Sequence, residues 1–166
     1  LTSERLSPGQ PFPRIAGHAG VALLPSFDRV LLAVGDGQKT FIADEDAAAI
    51  AARWRELEAV GGAFAIGDAK PLDALLAAHG QEVRADLFDV CLAQYVLAPG
   101  VATAELEPMA FQRLGHRLLP DKEVGISACA LPEAYEIANA DRWLAERASA
   151  AAALAPQLSA ALAARP

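Results

Sequence analysis

The stretch RVLLAVGDGQKTFIAD, residues 29–44, limits the fold more than any other part of the chain. Two apolar, β-rich runs flank Gly35-Asp36-Gly37, and a short Gly/Asp turn between such runs is a hairpin signal. Another apolar run, GVALLPS (20–26), precedes them and is ended by Pro25 and Ser26. Together, 20–26, 29–37 and 39–44 predict a three-strand antiparallel meander.

After the meander the period changes. Asp44 and Asp46 can cap a helix whose buried face is Ala48, Ile50, Trp54, Leu57 and Val60, ended by Gly61-Gly62. AFAI (63–66) reads as a fully buried strand, and Pro71 suits the first turn of a helix that closes at Gly80. ADLFDV (85–90) reads as a short strand. It leads into the helix DVCLAQYVLA, which stops at Pro99-Gly100. A helix over 106–119 and a loop, PDKEVGISACA, follow. A long alanine-rich helix over about 132–155 is expected to break at Pro156 and resume toward Ala164. Strands alternating with helices behind a meander predict an α/β fold: a mixed five-stranded sheet, mostly parallel, flanked by helices. Residues 1–17, with Pro8, Pro11 and Pro13, are expected to be an irregular lead-in to a single domain over 18–166. The polar start lacks both a signal peptide and an initiator Met, so the chain reads as a natural or excised piece of a longer protein.

Composition narrows the function. With 166 residues, 54% of them hydrophobic, the chain has the apolar content for one packed core and lacks an apolar run long enough for a membrane span. The net charge of -7 and the scattered Arg pairs argue against strong independent binding of nucleic acid. Cys91 and Cys129 lie in apolar segments and are expected to be free buried thiols in a reducing cytoplasm, with a disulfide or a reactive thiol as the alternatives. Trp54 and Trp143 are expected to pack in the core. Nothing suggests more than a monomer.

Ordinary motifs fail on inspection. Gly35-x-Gly37 precedes a strand rather than a helix and has Thr40 where a dinucleotide fingerprint has its third glycine. GDGQKT is no phosphate loop, because Gln38 breaks the Gly-Lys-Thr ending. Ser127 in GISAC lacks the second glycine of a nucleophile elbow and reads as a helix-entry residue. His18, His79 and His116 share no ligand spacing with the cysteines, which argues against zinc; His79 is placed near a helix C-terminus.

One ordered pattern remains. In AFAIGDAKPLDALLAAHGQEVRADLFDVCLAQYVLAPG (63–100), Gly67 stands six residues before Asp73, and Phe88-Asp89 opens the next helix. In EAYEIANADRWLAERA (133–148), Tyr135 is followed by Asn139 and Asp141. This set, together with the meander, resembles the 3′–5′ proofreading exonuclease domain of bacterial DNA polymerase I, a family A polymerase, over about 20–160. The resemblance implies a ribonuclease H-like fold and two divalent metals held by four carboxylates. Two of these come from an Asp-x-Glu on the first strand, one from the position of Asp73 and one from the last helix. The metals generate hydroxide and stabilise the leaving oxygen, and a tyrosine at the position of Tyr135 helps to orient water.

This chain departs from that pattern. Leu24 and Ser26 stand where the first-strand Asp and Glu would be, and Asn139 stands where the last-helix Asp would be. Asp73 keeps its carboxylate and Tyr135 its phenol. One aspartate and water cannot hold two hard cations, so neither a metal nor another cofactor is expected. Asp73 then serves as a favourable charge in a first helical turn, a weak residual metal site being the alternative. Tyr135 is expected to pack half-buried, and Asn139 to hydrogen-bond its surroundings, Asp73 among the candidates. The resemblance implies an inactive exonuclease-like module of a DNA polymerase in replication and repair. It would join an upstream nuclease domain to a downstream polymerase domain and touch DNA mainly through them. The alternative is an active nuclease using ligands drawn from Asp28, Asp44, Asp68, Asp73, Asp89 and Asp141. A third reading is an unrelated α/β domain for protein–protein interaction.

Overall fold

The hairpin at Gly35-Asp36-Gly37 organises the sheet. The computed structural model describes residues 1–15, 17–100, 105–126 and 136–165. Strands β2 (His18–Pro25), β3 (Val30–Gly35) and β4 (Lys39–Glu45) form the meander. The Asp36 carboxylate accepts the amides of Gln38 and Lys39 at 2.9 and 2.8 Å, a local bond that lets a short loop reverse direction. On the other side of β2, β5 (Ala63–Ile66) pairs parallel to it, and β6 (Asp86–Asp89) pairs parallel to β5.

The sheet has six strands rather than five, in the order β1-β4-β3-β2-β5-β6. The additional strand, β1 (Thr2–Arg5), lies within the lead-in expected to be irregular and pairs parallel to β4. Its sequence, TSER, is largely exposed. An edge strand of this kind is held by backbone bonds and shows no apolar alternation to read.

Helices cover both faces. Helix α1 (Ala47–Val60) and helix α2 (Lys70–Ala78) pack on one, where Val21, Leu23, Leu32 and Val34 meet Ile50, Trp54, Leu72 and Leu76. Asp46 caps α1 by accepting the Ala49 amide at 2.8 Å. Asp44 does not cap it. Ile50, Trp54 and Leu57 are buried as expected, but Ala48 and Val60 face solvent, and Ala51 and Arg53 take their place. The buried Arg53 guanidinium pairs with Glu45 and donates to the carbonyls of Ser7 and Gln10, strapping the lead-in to the domain.

The opposite face carries helices α3 (Val90–Leu97), α4 (Leu106–Leu114) and α5 (Ile137–Ala163). α4 ends at Leu114 rather than at 119, because Gly115 turns left-handed at φ 68°. A 3₁₀ turn, Asp121–Val124, occupies part of the expected loop. α5 runs unbroken through Pro156. An interior proline costs roughly 3 kcal/mol, but Leu154, Ala155 and Leu158 around it are fully buried against α3 and α4. The expected start of this helix at 132 lies outside the described residues. α5 also seats very close to β2: a Cβ built on Gly20 would lie 1.7 Å from the Ala148 carbonyl oxygen. No helix among the described residues is long and apolar enough to cross a membrane.

Glu58 ties α1 to the segment between α2 and β6. Its carboxylate accepts the amides of Arg84 (2.6 Å) and Ala85 (3.1 Å) and the Trp54 indole (2.9 Å), and pairs with Arg55. Burial pushes its pKa up, but these donors and Arg55 outweigh burial and hold it below the ordinary carboxylate value. A lowered folded pKa stabilises above the unfolded pKa, and that contribution is lost as pH falls through the folded value. Glu58→Gln is therefore expected to cost about 1–3 kcal/mol at neutral pH. The gap to the parent should narrow below about pH 4, near the ordinary glutamate pKa, as read by urea unfolding across that range.

Candidate functional site

All strands except β3 run the same way, so the carboxyl ends of β2, β5 and β6 share one edge. From β2 the chain reaches β3 by a hairpin, whereas β5 is reached through α1. The gap between β2 and β5 is therefore a topological switch point, where open α/β sheets place ligands. A groove of about 1270 Å³ opens there, lined by Pro25 of β2, Ile66 of β5, Gly67 just after it, and Asp89 of β6. The start of α2, the start of α4 and the side chains of Trp143 and Arg147 on α5 complete it.

Asp73 lines this groove. It sits in the first turn of α2, and its amide donates to the Ala69 carbonyl at 2.9 Å. Its exposed carboxylate has no ion-pair or hydrogen-bond partner among the described residues. Leu24 and Ser26 are occupied differently. Leu24 is fully buried beneath α5, packed with Leu31, Ile42, Ala140 and Leu144. The Ser26 hydroxyl donates to the Arg29 carbonyl at 2.9 Å, and its amide donates to the same oxygen at 2.8 Å, closing the β2–β3 turn. Asn139 does not pair with Asp73. Its side-chain amide donates to the Glu123 carbonyl (3.4 Å) and the Glu136 carboxylate (3.3 Å). Tyr135, Ser127 and Cys129 lie outside the described residues.

The other aspartates are dispersed. Arg5 bridges Asp44 (2.7 Å) and Asp141 (2.7 Å), and Arg29 holds Asp44 from the other side at 2.6 Å. Burial lowers the Arg5 pKa, but Asp141 and Asp44 more than reverse this and raise it. Asp89 caps α3 by accepting the Leu92 amide at 2.8 Å and also accepts the Ala69 amide at 2.9 Å, tying the starts of α2 and α3 together. Asp68 accepts the Lys70 amide at 3.0 Å, and Asp28 is exposed in the β2–β3 turn. Among the described residues, no three His, Cys, Asp or Glu side chains gather as a metal site. His79, at the end of α2, shares a 2.9 Å hydrogen bond between its Nδ1 and the Leu75 carbonyl.

Arg147, which helps to shape the groove, gave no sequence signal of its role. Arg147 lies over the Trp143 ring at 3.9 Å and pairs with Glu107 (2.5 Å) and Asp121 (2.6 Å), pinning α4 and the 3₁₀ turn to α5. An arginine inside an alanine-rich helix looks like a solvated charge until its partners, 40 and 26 residues away, are placed. Cys91 lines the groove half-buried. Burial first, then Asp89, Asp68 and Glu105, push its thiol up to about 12, so it is inert as a nucleophile at neutral pH.

Fold and groove together define a mixed α/β domain with an acid-lined cleft at its switch point. The sequence matches no protein-family model and no curated protein closely enough to count as a relative. Its fold is similar to part of the POL domain of Pol1 from M. smegmatis, a structure of a complex with DNA primer-template and dNTP. The TM-score is 0.59 at 22% identity, covering 89% of this chain and 24% of that one. The chain thus spans about a quarter of that protein's length, and at this identity the likeness is one of fold.

The burial of Leu24 is directly testable. Leu24→Asp should destabilise the domain by at least about 3–5 kcal/mol, because the charge would sit among Leu31, Ile42, Ala140 and Leu144 with no cation among those described neighbours. The near-isosteric Leu24→Met should cost under about 1.5 kcal/mol. Urea midpoints of the two variants check this.

Proposed function

We propose that the chain is a catalytically silent 3′–5′ exonuclease-like domain, ribonuclease H-like in fold, of a family A DNA polymerase. In that role it is a structural module between an upstream nuclease domain and a downstream polymerase domain, in DNA replication and repair. The observation that carries the reading is the different fate of the counterpart positions. Asp73 remains at the switch-point groove, while Leu24 has become core and Ser26 part of a turn. The order of the resembling segments and the fold likeness to part of a Pol1 POL domain support it.

Loss of the first-strand pair removes two anions from a centre that needs several to bind a pair of divalent ions. The alternative, an active nuclease with shifted ligands, has less support. Asp44 and Asp141 are engaged by arginines, and Asp89 by two backbone amides.

The test is a nuclease assay on the purified chain with Mg²⁺ or Mn²⁺ and a 3′-labelled single strand. The expected result is no metal-dependent trimming above that of Asp73→Ala. Trimming that requires metal and disappears in Asp73→Ala would overturn the reading.

A further inference from the structure

The groove is a poor fit for a DNA end and a good fit for a helix of opposite charge. Its volume of about 1270 Å³ exceeds the roughly 300–1,000 Å³ of small-molecule sites. Its lining includes the apolar side chains of Leu23, Ile66, Leu87 and Leu106. Where α3 borders it, Leu92 and Tyr95 are 60% and 57% exposed, and Val96 beside them is 47% exposed. These residues stand at i, i+3 and i+4, one apolar stripe on α3 left exposed while Val90 and Ala93 of the same helix pack toward α5. An exposed stripe beside an apolar groove is the geometry of helix-in-groove recognition.

Charge selects the occupant. Asp68, Asp73 and Glu105 on the groove wall have no cation paired to them among the described residues. The Arg147 charge is already taken by Glu107 and Asp121, which leaves Lys70 as the one groove cation among the described residues without a carboxylate partner. A polyanionic strand needs a basic track, and this wall carries the opposite sign. Burial first, then Asp89, Asp68 and Glu105, disfavour the Cys91 thiolate on the same wall.

We propose that the groove docks an amphipathic helical segment of another polypeptide, its apolar face set on Leu92 and Tyr95 and its Lys/Arg flanks on Asp68, Asp73 and Glu105. The proposal rests on the groove itself and not on the reading of the domain as a silent exonuclease.

The probe is a fluorescently labelled leucine–lysine amphipathic helical peptide, titrated with the full chain and read by anisotropy. A leucine–glutamate peptide of the same apolar spacing and an oligothymidylate serve as comparisons. The expected result is binding of the leucine–lysine peptide alone. It should weaken at least about tenfold, as when anchor residues are removed, in L92S/Y95S and separately in D68N/D73N. Phe27→Ser, which removes an apolar side chain 87% exposed and outside the groove lining, should leave it unchanged. No peptide binding, equal binding by the groove variants, or tighter binding of the oligothymidylate would each overturn the proposal.

Discussion

The close seat of α5 on β2 is the constraint on which the other features turn. A Cβ at position 20 would collide with the Ala148 carbonyl, so the helix lies nearer the sheet than most residue pairs allow. Small side chains on the facing side, Ala140, Ala148 and Ala151 among them, make that approach possible. The consequence reaches the far end of β2. Leu24 projects toward the same helix and is roofed by Ala140 and Leu144. In this arrangement the carboxyl end of the central strand is core. A carboxylate placed there would lose its hydration without gaining a partner, which costs several kcal/mol.

The charges around that edge are spent on architecture. Arg5 draws Asp44 and Asp141 together, so that one guanidinium fastens β1, β4 and α5. Arg147 does the same for α4, the 3₁₀ turn and α5, with its guanidinium over the Trp143 ring. Exposed pairs of this type contribute little, about 0–1 kcal/mol. The Arg147 set is more sheltered, and its loss would leave a buried guanidinium unpaired. With these arginines committed, the charge left on the groove wall is mainly that of Asp68, Asp73 and Glu105.

Much of the fold was legible, and the failures have physical reasons. The Gly-Asp-Gly turn, the buried AFAI strand and the proline-led α2 follow from local chemistry, and each is present where local chemistry places it. β1 was not legible, because a four-residue polar edge strand leaves no pattern. Continuity of α5 through Pro156 was not legible either, because its cause is burial of Leu154 and Leu158 by elements distant in sequence. At the site, Asp73 stands in the first turn of the proline-led helix as its sequence position implies, whereas its place in a groove comes from the assembled fold. Phe88-Asp89 opens α3 as the sequence placed it, but the tie from Asp89 to Ala69 and the partners of Asp141 and Arg147 were not legible, because only the assembled fold supplies them.

The proposed silent role requires that the carboxylates around the switch point, no three of which gather as a metal site among the described residues, hold no pair of divalent ions. Manganese titration followed by electron paramagnetic resonance tests this directly. The account predicts free-ion signal throughout, save for weak single-site binding that Asp73→Asn abolishes. A spin-coupled manganese pair bound at micromolar concentration would contradict it.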